Sequence, residues 1–221
     1  MPEDIRRLLR LLQHIGHAVV RAPARWRGRQ WALFSALVAA ILLAYVEKHP
    51  LQAFFRRGDS EFARGVAEFA NVFGSGVAMV WLGLIAYVLG RWTRKRAVVD
   101  AAIVFAAAGL WCWALTTVGQ FVFAEHRPNE GGAMRFFALG GHGVSGHASA
   151  AALLYWPVRD ILARAAKMSV RRAAGAASVA WAIVVGWSRV WLGMHFVWNV
   201  MFGFAIGGFI GFLATRPSRP T

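Results

Sequence analysis

Carboxylates are scarce: only ten of the 221 residues are Asp or Glu, and none follows Asp160. The one cysteine, Cys112, lies inside an apolar run, which excludes an intrachain disulfide framework and a cysteine metal cluster. There is no periodic repeat and no low-complexity tract, and the length suits one domain. The N-terminal stretch lacks a short apolar core followed by a small-residue cleavage site, so it reads as retained rather than as a removed leader.

Against ten carboxylates stand 25 Lys and Arg, a formal net charge of +15. In a soluble protein that balance points to nucleic acid. Here 58% of the residues are apolar, eleven are Trp and the mean hydropathy is +0.47. The basic residues fall between long apolar runs, so the partner is a lipid bilayer and no nucleic acid is expected.

A hydrocarbon core about 30 Å thick needs roughly 20 apolar residues per helix. The runs 31–46, 72–90, 98–123, 148–158, 173–187 and 196–214 are the candidates, the fourth being extended back through Val144 and forward toward Leu162. They predict an all-α fold, a six-transmembrane-helix bundle in one domain over 31–215, with a basic segment 1–30 before it and a tail 216–221 after it. Within the first segment Ile5, Leu8, Leu12, Ile15 and Val19 recur at helical spacing, with Arg6, Arg7, Arg10, His14 and His17 on other faces. That pattern predicts an amphipathic helix in the membrane interface.

Charge orients the bundle. With the N-terminus cytoplasmic, most basic residues lie in the cytoplasmic segments, and only Lys48, Arg56, Arg57, Arg64, Arg127, Arg135 and Arg189 fall opposite. The positive-inside bias therefore sets both termini in the cytoplasm. The Gly-rich loop 131–146 then lies outside, and a loop of that length is usually functional or disordered.

Three extracytoplasmic patches hold most of the remaining polar chemistry: Glu125-His126-Arg127-Pro128, Gly143-Val144-Ser145-Gly146-His147, and Ser188-Arg189 followed by His195 and Asn199. They come from different helices yet reach one membrane face. Arg127 and Arg189 offer planar forks suited to phosphate oxygens. Ser145 and Gly146 open a helix, where free backbone N–H groups and the helix dipole favour an anion. The two histidines, His147 and His195, suit a nucleophile on phosphorus and a group that protonates the departing alkoxide and later activates water. Asn199, four residues after His195, shares its helix face and is placed to orient the imidazole. Taken singly each has a structural reading: a boundary arginine snorkels, a histidine at a helix end is interfacial, and Trp181, Trp187, Trp191 and Trp198 are membrane anchors. Two His, two Arg and Ser-Gly at one face are hard to assign to packing.

At these residues the chain resembles the type 2 phosphatidic acid phosphatase family, which also takes in bacterial lipid phosphatases and vanadium haloperoxidases. The family's motifs are Lys–six residues–Arg-Pro, Pro-Ser-Gly-His, and Ser-Arg–five residues–His–three residues–Asp. Arg127-Pro128 matches the end of the first, Ser145-Gly146-His147 the second, and Ser188-Arg189 with His195 the third at full spacing. The resemblance covers roughly residues 70–215. It implies His195 as nucleophile, forming a phosphohistidine, and His147 as general acid. Arg127, Arg189, Ser145 and the Gly146 amide bind phosphate, with no cofactor and no metal.

Three positions depart from the pattern. Gln120 replaces Lys and turns a charged phosphate ligand into a neutral donor. Val144 replaces a loop-shaping Pro. Asn199 replaces Asp; an amide can accept from an imidazole N–H but cannot stabilise imidazolium by charge, a change that costs about 10⁴ in turnover in the serine-protease triad. Losing Lys and Asp together leaves the formal charge of the site unchanged, so it reads as retuned. The resemblance implies a phosphatase or phosphotransferase at the periplasmic face of a bacterial inner membrane, with polyprenyl diphosphate, phosphatidylglycerophosphate and lipid A as substrate classes. A lipid-phosphate-binding or transport protein with a degenerate site is the alternative. A haem held by His147 and His195 would need both imidazoles deep between helices, and His126, His142 and His147 lack a characteristic zinc spacing.

Overall fold

In hydrocarbon every backbone N–H and C=O must be bonded within its own segment or a closed sheet, and the apolar runs of this sequence accordingly fold as helices. The computed structural model describes residues 2–56, 60–130, 135–139, 142–159 and 167–215. In chain order the helices are α1 (Glu3–Arg21), α2 (Gly28–Val46), α3 (Lys48–Phe55), α4 (Glu61–Phe73), α5 (Gly76–Trp92), α6 (Arg96–Val122), α7 (Gly146–Leu153), α8 (Met168–Trp191) and α9 (Val197–Thr215). Two short strands, β1 (Phe123–Ala124) and β2 (Arg135–Phe136), pair antiparallel with Phe123 opposite Phe136.

The protein is an all-α, multi-pass membrane protein, and the described residues supply four or five of the six spans expected. Four described helices, α2, α6, α8 and α9, are long and apolar enough to cross a bilayer; α4 and α5 add a fifth if their bent pair counts as one. The expected straight span 72–90 is broken at that bend of 57°. Ser75 causes the break: its hydroxyl accepts from Ala78 N–H at 3.1 Å and starts a new helix. Within the expected fourth span the described residues form α7, eight residues or about 12 Å long, and a helical stretch over 155–159. Its extension toward Leu162, the tail 216–221 and parts of the Gly-rich loop lie outside the described residues.

Helix α1 forms over the stretch that the helical spacing predicted, and its apolar stripe from Leu8 to Val19 packs on protein while Ile5 is exposed. Ile15 is fully buried among Ala107, Ala108, Ile210 and Ala214, with Leu8, Leu12 and Val19 against the same cluster. Trp111 donates its indole N–H to Leu12 O at 2.9 Å. The acidic first turn meets basic neighbours, Arg96 lying 3.0 Å from Glu3 and Arg91 3.5 Å from Asp4, and Arg7 pairs with Asp100.

The tightest packing joins α7 to α9. Gly203, Gly207 and Gly211 line one face of α9 at four-residue intervals. A Cβ at Gly207 would run into the Ser149 carbonyl, and one at Gly203 would meet the Ser145 carbonyl. Small residues at this spacing let two helices approach within a membrane, and here they press the start of α7 against the start of α9.

Candidate active site

Ser145 caps α7: its oxygen accepts from Ala148 N–H at 3.4 Å, which leaves its own hydroxyl proton to donate. Gly146 and His147 form the first turn beyond it. Opposite, α8 ends with Arg189 in its last turn. The chain then reverses through Gly193, whose φ of +69° suits a residue without a side chain. The Arg189 carbonyl accepts from Met194 N–H at 3.0 Å and His195 N–H at 3.1 Å, so Arg189 and His195 belong to one turn.

Asn199 fastens these pieces together. Its side-chain oxygen accepts from Phe196 N–H at 2.7 Å, its amide donates to Gly143 O, and its backbone carbonyl accepts from Ser145 N–H at 3.1 Å. Its place four residues after His195 predicts that this amide orients the His195 ring. Instead both of its ends are taken by backbone, one in capping α9 and the other in holding the loop that leads to α7. Nδ1 of the buried His195 ring has no partner among the described residues.

Gln120 behaves similarly. Rather than being free for phosphate, its amide donates to Val144 O at 2.8 Å, and Val144 is fully buried where Gly119 has no side chain to obstruct it. Both departures from the family pattern therefore hold the 143–145 loop.

A residue not singled out from the sequence joins the other two key groups. The Asn71 side-chain oxygen on α4 accepts from the Arg189 guanidinium, and its backbone oxygen lies 3.2 Å from His147 Nε2. A single Asn in the apolar run Phe69–Phe73 was the only available signal, since a polar amide among apolar residues needs a partner.

The electrostatics follow. Arg189 is only 6% exposed, its Nε is unpartnered, and among the described residues it has no ion pair. Arg127 is near enough for its charge to act on Arg189 and on His142, and is itself weakly paired to Glu130 at 3.8 Å. Burial first, then the charges of Arg189, His147 and His142, hold His195 well below the ordinary imidazole value. Glu125 supplies no acid here: buried, it binds Lys48 Nζ at 2.6 Å and the Trp198 indole N–H at 2.8 Å. No group of three or more His, Cys, Asp and Glu among the described residues could hold a metal ion.

The sequence model of the PAP2 superfamily matches residues 123–219, a stretch containing Arg127, the 145–147 turn, Arg189 and His195. Over that stretch, less than half of its length, the chain is similar to the PAP2 superfamily. Its fold is shared with two solved structures. One is a transmembrane PAP2 type phosphatidylglycerolphosphate phosphatase from Bacillus subtilis, 21% identical with a TM-score of 0.62, matched over 83% of this chain and 91% of that one. The other is Aquifex aeolicus LpxE, 18% identical with a TM-score of 0.57, matched over 76% and 93%. No curated protein sequence matches. In PAP2 terms Asn71, on α4, lies outside the matched stretch.

Proposed function

We propose that the chain is a metal-independent lipid-phosphate or lipid-diphosphate phosphatase or phosphotransferase, acting at the periplasmic face of a bacterial inner membrane. The observation that carries this reading is Arg189, a buried guanidinium without a carboxylate partner beside two histidines. An uncompensated buried charge is costly, and a bound phosphate supplies the missing anion. The name of the Bacillus subtilis relative points to a phosphorylated lipid. The positive-inside bias supports cytoplasmic termini, and a sixth crossing would begin at α7.

In the proposed chemistry a ring nitrogen of neutral His195 attacks phosphorus. The bond from phosphorus to the lipid oxygen breaks, its electron pair leaves on that oxygen, and His147 supplies the proton. Since Asn71 O can only accept, it fixes the proton on His147 Nε2 and leaves Nδ1 to exchange the one that moves. Water then attacks the phosphohistidine, His147 takes its proton, and the phosphorus–nitrogen bond breaks to restore His195. Arg127, Arg189, the Ser145 hydroxyl and the Gly146 N–H hold the phosphate oxygens as charge redistributes.

The test is phosphate release by detergent-purified protein in EDTA, against a panel of lipid phosphates and diphosphates, with His195→Ala alongside. Release from at least one lipid, lost in the variant, is expected. The engagement of Gln120 and Asn199 by the loop favours a second reading, a lipid-phosphate-binding or transport protein. Binding of lipid phosphate with no release from any member of the panel would establish that one.

A further inference from the structure

Helix α4 has three faces. Ala67, Ala70 and Asn71 lie toward the protein, where Ala70 packs with Val185 of α8 and a Cβ on Gly74, just past the helix, would run into the Val185 side chain. Glu61, Arg64 and Glu68 are exposed along a second face. The third is apolar and open: Phe62 is 82% exposed, Phe69 55% and Phe73 54%. Helical spacing puts these three rings on one side of α4, nearly opposite Asn71. A helix that meets protein on one face, water on another and something apolar on the third suits the edge of a bilayer.

The connections of α4 say what covers the rings. It leads through Gly74 and Ser75 into α5 at a bend of 57°, and it packs on α8, itself long and apolar enough to cross a membrane. At about 20 Å long, α4 runs obliquely off the end of a span, within reach of lipid. Three phenyl rings left in water there would be costly. The bend also has a chemical consequence. Ser75 N–H donates to Val72 O at 3.3 Å instead of to Asn71 O, the acceptor that a continuing α-helix would use. The Asn71 carbonyl is released to face His147 Nε2 at 3.2 Å, while the Asn71 side chain holds Arg189. Apart from Phe69 against Trp181, ring centres 6.1 Å apart, small residues face α8 and resist rolling of the helix weakly. The seat of the phenyl rings then decides where Asn71 points.

We propose that α4 is an interfacial docking helix whose partner is the lipid leaflet on the side of the site. Phe62, Phe69 and Phe73 sit in that lipid, and their seat positions Asn71 and, through it, Arg189 and His147. Asn71 is the positioning residue, and competence of the site is tied to embedding in a bilayer. The consequence for turnover rests on the phosphatase reading; the seat in lipid does not.

The experiment uses the full-length protein in nanodiscs of phosphatidylcholine and phosphatidylglycerol. Cys112, the one native cysteine, is buried, so a spin label is attached at Phe62→Cys or at Glu68→Cys. The label at position 62 is expected to respond more to oxygen, which partitions into lipid, than to an aqueous nickel chelate, and the label at position 68 the reverse. Equal access of the chelate to both positions overturns the proposal. So does shielding of position 62 from both agents, which would mean that a second copy of the chain or another protein covers it. The coupling is read on phosphatidic acid in the same nanodiscs. Phe62→Ser should lower kcat/KM roughly fivefold, an ordinary size for coupling through a packed element. Phe62→Leu should keep the wild-type value, and Phe62→Ser should add nothing in an Asn71→Ala background. Losses that multiply in the double variant, or full activity in Phe62→Ser, overturn the coupling. Binding of inorganic phosphate to the same variants needs no turnover. If the wild type releases no phosphate, weaker binding in Phe62→Ser that vanishes in the Asn71→Ala background upholds the docking while the phosphatase reading falls; unchanged binding overturns the coupling.

Discussion

Helices α2 and α9 are both 19 residues long and nearly equal in hydropathy, yet 6% of the apolar stretch of α2 is buried inside the protein against 50% of that of α9. Leu33, Phe34, Leu37, Leu42 and Leu43 of α2 are open to the surroundings. On α9, Gly203, Gly207 and Gly211 meet Ser145, Ser149 and Trp156. In a bilayer lipid tails solvate leucine as well as a protein core does, so apolarity does not distinguish a lipid-facing helix from a packed one. Close approach between backbones does, and in this protein it holds the first turn of α7 against the start of α9.

The strongest way to break that comparison is to put a side chain on each helix. Gly207→Val drives a Cβ into the Ser149 backbone, which has no flexible end to give way. The cost is expected at or above the top of the usual range for overpacking, about 1–3 kcal/mol, and it separates α7 from α9. Size-exclusion in detergent should lose its monodisperse peak and any phosphate release should go with it. Ala40→Val on the open face of α2 should shift stability by less than about 0.5 kcal/mol. A folded, active Gly207→Val protein would sink the argument.

Next in size is Asn71→Ala. It removes the one acceptor on a buried guanidinium, a bond to a charged group of about 1.5–3 kcal/mol. A fall of roughly 10- to 100-fold in kcat/KM is expected, because Arg189 loses its orientation. Asn71→Asp separates structure from charge. It keeps the acceptor but gives Arg189 a permanent counter-anion, so KM should rise although the melting temperature holds or increases. An unchanged KM in that variant would mean that Arg189 does not bind the phosphate.

Hydropathy and charge made the all-α membrane fold legible, and motif spacing singled out His147, Arg189 and His195, which the fold brings together, because those signals are local. The bend between α4 and α5 was missed because a serine cap inside an apolar run interrupts a helix without lowering its hydropathy. The partners of Asn199 and Gln120 escape the sequence for a related reason. Their places in the motifs suggest ligands, but their partners are carbonyls at Gly143 and Val144, 56 and 24 residues away in sequence. Asn71 lay outside any motif, and only the packing of α4 on α8 reveals it.

Asn199→Asp turns that correction into a measurement. Read from the sequence, the change restores a family carboxylate and should raise activity. In the structure it sets a carboxylate oxygen against the Gly143 carbonyl in place of a donor. Leaving a buried polar group unsatisfied costs about 1–3 kcal/mol, so both the melting temperature and phosphate release should fall. Increased release would show that the carboxylate reaches His195 and that the stapling role is secondary.

The smallest expected effect is on the dependence of stability on pH, and it sharpens the contrast between the site and the lipid-facing helices. His195 is held well below the ordinary imidazole value by burial and then by Arg189, His147 and His142; His142 is lowered by burial and then by Arg127. Below pH about 6.5 the unfolded chain takes up protons that the folded one refuses, so stability falls as pH drops through that value. Above it both states are neutral at these groups and contribute no slope. Melting temperatures between pH 7.5 and 5.5 should therefore decline, and the decline should be shallower in His195→Gln and in His142→Gln. Ala40→Val on α2 should keep the wild-type slope. An identical slope in all three variants would place the acid sensitivity outside the site and remove the electrostatic half of the comparison.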